Sequence, residues 1–112
     1  MRGRIVLVPF PFDDLLSAKV RPALCLTDPI GGYDHVVMAF ISSVVPSPLL
    51  PTDLLLDSAD ADFAQTGLLV RSAIYLHRLS TLTTRIIIRE LGELSPQQLA
   101  MVEERMRLLF DL

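Results

Sequence analysis

Arg21 stands between Val20 and Pro22, and its setting is what a bound anion would ask of a cation. Proline biases the residue before it toward extended backbone, so Pro22 holds Arg21 at a loop-to-strand junction. A guanidinium fixed there suits an oxyanion or a phosphate, which it grips through a planar fork. The same position also fits a surface arginine paired with Asp13 or Asp14. Ser42 and Ser43 close the apolar run of residues 36–41. Two hydroxyls at a strand end can be presented at a barrel rim, or they can satisfy strand-end backbone groups. Tyr75 and His77 are two residues apart and share one face of a strand, whereas adjacent residues such as His77 and Arg78 face opposite sides. An outward face offers an aromatic ring and an imidazole for base stacking. An inward face makes both of them core.

Other reactive types carry less. A single cysteine, Cys25, forms no internal disulfide and by itself holds no zinc. Strand alternation turns it inward, where it reads as a buried structural thiol. His35 and His77 are isolated in the sequence, so no metal cluster is expected. Gly31-Gly32 stands alone in a turn and makes no phosphate loop.

The elements that must position these residues are mostly strands. Residues 4–8 are rich in β-branched types and form a first strand, ended by Pro9-Phe10-Pro11-Phe12. Residues 11–20 form a loop. Residues 20–27 form a second strand, and Pro22 places its beginning at a sheet edge. Residues 28–34 are turn chemistry. Residues 35–43 form a nearly all-apolar third strand, covered on both faces. Pro46, Pro48 and Pro51 forbid a helix, and residues 53–57 are a short fourth strand. Residues 58–65 hold one helical turn ended by Gly67. Residues 72–79 alternate again, and residues 85–89 enclose Ile86-Ile87-Ile88 as a last strand, which Gly92 separates from a helix. That helix starts with Ser95 as N-cap, Pro96 at the first position and Gln98 completing a capping box. Leu99, Val102, Met106 and Leu109 recur along it at helical spacing. Five or six short strands and a terminal helix close most naturally into a small barrel.

The chain has 112 residues, 51% of them hydrophobic and 21% charged, which makes one domain spanning 1–112 and excludes a disordered or low-complexity chain. Mean hydropathy is +0.47, yet no apolar run approaches the roughly 18 residues that span a bilayer. Residues 1–15 do not read as a signal peptide. The expectation is a reduced, cytoplasmic domain whose surplus apolar surface is covered by a second copy or a partner. The net charge of −3 speaks weakly against nucleic acid. Its distribution differs: residues 46–70 carry four acids and no base, and residues 71–89 carry four arginines and no acid. With Arg21, the basic segment can make a local cationic groove on an acidic protein.

Several of these stretches together look familiar. Gly3-Arg4-Ile5-Val6-Leu7-Val8-Pro9-Phe10, Lys19-Val20-Arg21-Pro22-Ala23-Leu24 and Ile41-Ser42-Ser43 resemble the MazF/PemK toxins of bacterial type II toxin–antitoxin systems. The likeness continues in order through Leu50-Pro51-Thr52, Gly67-Leu68, Ser72-Ala73-Ile74, Leu79-Ser80-Thr81-Leu82 and Leu91-Gly92-Glu93-Leu94-Ser95. The resemblance implies a mainly β fold, a small SH3-like barrel of five to seven strands with a C-terminal helix, working as a homodimer. It implies a metal-independent, cofactor-free endoribonuclease that cuts single-stranded RNA at particular sequences. It also implies a cognate antitoxin whose extended acidic C-terminal peptide covers the RNA groove, the toxin joining DNA only with that antitoxin.

By the same resemblance the catalytic arginine falls on Arg21. The catalytic threonine falls on Ser42, which keeps the hydroxyl without the rotamer stiffness. Lys19, Ser43, His77 and Arg78 would bind RNA. Cleavage by the adjacent 2′-hydroxyl needs that proton removed, the 5′-oxygen protonated and the phosphorane charge stabilised. The expected ends are a 2′,3′-cyclic phosphate and a 5′-hydroxyl. Arg4 stands where many relatives carry Asp. His77-Arg78 stands where they often carry Glu-Gln, which puts a different base preference, or a share of the acid–base work by His77, within reach. Two other readings fit the same likeness. One is a non-nucleolytic barrel that binds a protein target such as DNA gyrase through the helix at 95–111. The other is an inactive homologue that binds only an antitoxin.

Overall fold

The computed structural model describes residues 1–10 and 19–112; the loop expected at 11–20, with Asp13, Asp14 and Ser17, lies largely outside the described residues. Six strands run antiparallel: β1 (Arg4–Phe10), β2 (Lys19–Cys25), β3 (His35–Ser42), β4 (Asp53–Leu56), β5 (Ser72–Thr83) and β6 (Arg89–Glu93). They form one sheet in the order β4-β5-β3-β2-β1-β6. The sheet curls into a half-barrel whose edges are β4 and β6. The 3₁₀ turn Ala64–Thr66 and helix α1 (Pro96–Phe110) pack near these edges.

Apolar alternation gives the sheet two cores. Ile5, Leu24, Ala39, Ile41, Leu54, Ile74 and Leu76 point to one face, where Val102, Leu99 and Met106 of α1 cover them. Val6, Val8, Ala23, Cys25, Val36, Met38 and Phe40 point to the other, covered by Leu82, Ile86 and Ile87. The third strand is therefore buried on both faces, as its unbroken apolar run requires. Cys25 is fully buried. The expected cap of α1 is present: the Ser95 hydroxyl accepts from the Gln98 N–H at 3.1 Å, and the Ser95 N–H donates to Gln98 Oε1 at 2.8 Å.

Four boundaries differ from the sequence expectation. β1 does not stop at Val8 but runs on to Phe10, because Pro9 pairs with Val20 and Phe10 with Lys19. β2 is an interior strand, although Pro22 predicts an edge. β5 continues to Thr83 because Leu79 to Thr83 pair with Ala39 to His35. The last strand is the polar β6 and not residues 85–89. The Thr83 hydroxyl accepts from the Arg85 N–H at 3.0 Å and starts a 3₁₀ turn at Thr84–Ile86, whose isoleucines then cap the second core.

Two irregularities shape the site. Phe40 pairs with Tyr75 but Ala39 pairs with Leu79, so Leu76, His77 and Arg78 bulge out of the ladder. On the far side Ile5 pairs with Gly92 and Val6 with Glu90, so Leu91 bulges from β6. Gly92, expected beyond the last strand, thus lies within it. A Cβ on Gly92 would stand 2.2 Å from the Gln65 carbonyl, and one on Gly67 would stand 2.0 Å from the Leu91 carbonyl. Gly67 also takes φ +73°, the left-handed value glycine tolerates. Two backbones are thereby pressed together, one glycine from each.

Candidate active site

The Leu26 N–H donates to the Val37 carbonyl at 2.8 Å. Strand alternation therefore aims the amides of residues 24 and 22 at β3 as well. At residue 22 that donor is missing, because it is proline. Pairing of β2 with β3 accordingly ends at Ala23–Phe40. Continued by two residues, that register sets Arg21 opposite Ser42 and on the same face of the sheet. Arg21 remains anchored on its other side, paired with Val8 of β1. The proline expected to start an edge thus opens a fork inside the sheet, with Arg21 on one tine and Ser42 on the other.

Hollows lie on both sides of this fork, and Arg21, Ile41 and Ser42 border both. One, of about 270 Å³, continues past Ser43, Leu68, Leu69, Val70 and Arg89. The other, of about 230 Å³, runs between Val44, Tyr75 and Arg78. Three guanidiniums, those of Arg21, Arg78 and Arg89, therefore line one composite cleft. Among the described residues no Asp or Glu lines either hollow. Opposed by no acid there, the cations make a local positive field on a chain of net charge −3. Arg4, the other cation singled out in the sequence, is turned elsewhere, pairing with Glu90, which holds its guanidinium above its ordinary value.

Small contacts fix the walls. The Ser42 hydroxyl accepts from the Val44 N–H at 3.1 Å, which uses a lone pair and leaves its proton for another acceptor. The Tyr75 hydroxyl donates to the Val44 carbonyl and ties β5 to the segment after Ser42. Thr66 donates to the Phe63 carbonyl at 2.6 Å and accepts from the Leu68 N–H at 3.2 Å. The Ser72 hydroxyl donates to the Val70 carbonyl at 2.9 Å. These bonds present Leu69, 95% exposed, and Val70 as an apolar lip beside the arginines.

Of the residues selected from the sequence, Arg21, Ser42, Ser43 and Arg78 meet at the cleft. Lys19 lies two residues before Arg21 at the exposed start of β2 and lines neither hollow. His77 sits one step back, its ring edge-on to Tyr75 with centroids 6.1 Å apart. The bulge breaks strict alternation, so both His77 and Arg78 approach the Tyr75 side, where the sequence expects only one. The supposed partners of Arg21, Asp13 and Asp14, lie outside the described residues. Arg89 is the member of the cleft that sequence reading missed. The only signal was its place in the basic segment, of which Arg71 and Arg85 line neither hollow.

A larger hollow, about 390 Å³, lies away from the fork between α1 and the end of β2. Leu26, Leu99, Val102, Met106, Phe110 and Leu112 make it chiefly apolar, and it brings no set of polar groups together. Among the described residues no three His, Cys, Asp or Glu side chains cluster as metal ligands. No helix there is long and apolar enough to cross a membrane.

A curled antiparallel half-barrel with one C-terminal helix and a cationic cleft at a forked strand pair places this chain in the MazF-like fold. Solved structures share that fold. The Mycobacterium tuberculosis toxin MazF-mt6 is 24% identical, with TM-score 0.75 over 97% of each chain. A mycobacterial endoribonuclease in complex with its cognate antitoxin is 15% identical, with TM-score 0.76 over 100% of this chain and 95% of that one. A further endoribonuclease from a mycobacterial species is 14% identical, with TM-score 0.72 over 100% of this chain and 91% of that one. No curated protein sequence matches. The family model of the PemK-like, MazF-like toxins of type II toxin–antitoxin systems matches residues 1–110, and the chain belongs to that family.

Proposed function

We propose that this chain is an endoribonuclease toxin that cuts single-stranded RNA without a metal ion. The observation that carries this reading is the fork, which sets Arg21 opposite Ser42 in a cleft lined by arginines and by no described carboxylate. The scissile phosphate lies between the two side chains. The 2′-oxygen attacks the adjacent phosphorus and loses its proton, the bond to the 5′-oxygen breaks, and that oxygen takes up a proton. Arg21 supplies charge and paired N–H donors to the phosphorane. Ser42, its lone pair already used by Val44, donates its free proton to a second oxygen. The products carry a 2′,3′-cyclic phosphate and a 5′-hydroxyl.

Arg78 and Arg89 hold neighbouring phosphates, with Lys19 and Ser43 further along the strand. Leu69, Val70 and Tyr75 take base faces, a sequence-tolerant contribution. Two copies of the chain form the working dimer. Its support is the apolar surface that one copy leaves open, including Leu69, Leu112 and Phe110. The antitoxin is a partner with an extended acidic segment, complementary to the arginines of the cleft. Its setting is the cytoplasm, where RNA and antitoxin are made.

The test is incubation of purified protein with a long single-stranded RNA in EDTA, followed by end-group analysis. Discrete cuts with cyclic phosphate and 5′-hydroxyl ends are expected. No cleavage by the folded protein overturns the reading, and inhibition of DNA supercoiling that survives Arg21→Ala would replace it with a protein-binding one.

A further inference from the structure

Asp53, the first residue of β4, has a side chain with 0% exposure. Its Oδ2 accepts from the Leu50 N–H at 2.8 Å. Its Oδ1 has no hydrogen-bond partner among the described residues, an arrangement native proteins seldom leave without a purpose. What faces that oxygen is Nδ1 of His77, 3.8 Å away, on a side chain 40% exposed. His77 is the middle residue of the bulge, and its ring leans edge-on against Tyr75. Asp53 pairs with Tyr75, and Tyr75 pairs with Phe40. These residues therefore lie in one row across the sheet, on the face that carries Arg21 and Ser42.

We propose that Asp53 is a positioning residue that holds His77 as its Nδ1–H tautomer and so makes Nε2 a base-reading acceptor at the mouth of the cleft. A neutral imidazole has one donor and one acceptor nitrogen, and the partner of one nitrogen decides the other. The carboxylate oxygen can only accept, so it selects the proton on Nδ1. Nε2, on the exposed side of the ring, is left bare. An acceptor there selects a donor on a base edge, an exocyclic amine or a ring N–H, in the nucleotide next to the one whose phosphate Arg21 and Ser42 hold. The inference rests on the endoribonuclease reading for its ligand, and on the Asp53–His77 geometry alone for its tautomer.

The experiment has two readouts. The ¹⁵N resonances of the His77 ring, recorded at about pH 8 where an ordinary imidazole is neutral, report which nitrogen carries the proton. Cleavage of a random-sequence single-stranded RNA pool reports the base preference. Asp53→Asn keeps an acceptor for Leu50 but turns an amide donor toward Nδ1. The proton should then move to Nε2, and the preference at one position should pass from donor-bearing to acceptor-bearing bases. His77→Phe keeps the edge contact with Tyr75 and removes both nitrogens, so about tenfold of discrimination at that position should be lost. A wild-type Nε2–H tautomer, or an Asp53→Asn protein with tautomer and cut profile unchanged, overturns the proposal. So does an unaltered profile in His77→Phe, a surface variant that leaves the buried carboxylate in place. A wild-type chain that cuts no RNA overturns the endoribonuclease reading and the base-reading role, while the ring resonances still decide the tautomer.

Discussion

Arg21 and Ser42 face each other across the point where β2 and β3 stop pairing, and Pro22 is the reason they stop. Arg21→Ala should lower the cleavage rate by about 10²–10³, the usual effect of removing one donor to a developing oxyanion. Arg21→Lys should restore only part of it, because an ammonium lacks the fork. Arg21 is exposed, so the stability of both variants should stay within about 0.5 kcal/mol of the parent. Single-turnover rates beside thermal melts check both statements.

Ser42 offers a finer comparison. Ser42→Ala removes the donor to phosphate and also the acceptor of the Val44 N–H. Activity should fall about a hundredfold, with a stability loss of at most about 1 kcal/mol, since water can reach the freed amide. Ser42→Thr keeps the hydroxyl and should keep the activity. A threonine variant as inactive as the alanine one would show that the hydroxyl is not what matters.

Arg89 lines the cleft 68 positions beyond Arg21 in the chain. If it meets a phosphate, Arg89→Gln should flatten the slope of log KM against log salt by about 0.7, the share of one contact to a single strand. Arg85→Gln, which removes a cation lining neither hollow, should leave the slope nearly unchanged. Titration in KCl at fixed pH separates the two.

Burial pushes the Cys25 thiol up to about 11 from 9.0. Unfolded, the thiol ionises near about 8.5. Below that pH both states keep the proton and the contribution is whole. Above it only the unfolded chain gains by losing the proton, so stability falls as pH rises toward 11. Cys25→Ala should lose stability at neutral pH but show a shallower decline between about pH 9 and pH 11. Denaturant melts of both proteins across that range supply the comparison. The native thiol should also resist thiol reagents until the chain unfolds.

Gly67→Ala should cost on the order of 3 kcal/mol, because a Cβ there would stand 2.0 Å from the Leu91 carbonyl at a φ of +73°. Gly31 has a similar φ of +72° with nothing within 4 Å. Gly31→Ala pays only for the left-handed backbone, about 1 kcal/mol. Chemical denaturation of the pair isolates the contact from the conformation.

Local chemistry explains which features could be read from the sequence. Ser95, Pro96 and Gln98 are neighbours whose capping geometry is complete within one turn, so the start of α1 was legible. Strand alternation exposed β1, β2 and β3, and the likeness carried by Arg21-Pro22-Ala23-Leu24 picked out both tines of the fork. What stayed hidden depends on distant partners. Residues 86–88 have strong strand character, but the neighbour of β1 is the polar β6, and the isoleucines cap a core instead. The bulge at Leu76, His77 and Arg78 arises because β5 must bend to pair with β3 along its length and with β4 near its start. Arg89 enters the cleft only because β6 lies beside β1.

The joint between Gly67 and Gly92 has a consequence for how such a molecule can diverge. Neither position admits so much as a methyl group, so the spacing between the turn and β6 is fixed. Beyond the turn, Leu69 and Val70 project freely and can be exchanged without disturbing it. The lip of the cleft can therefore acquire new preferences by substitution while its gauge stays constant. A lineage can retarget its cut without having to rebuild the tool.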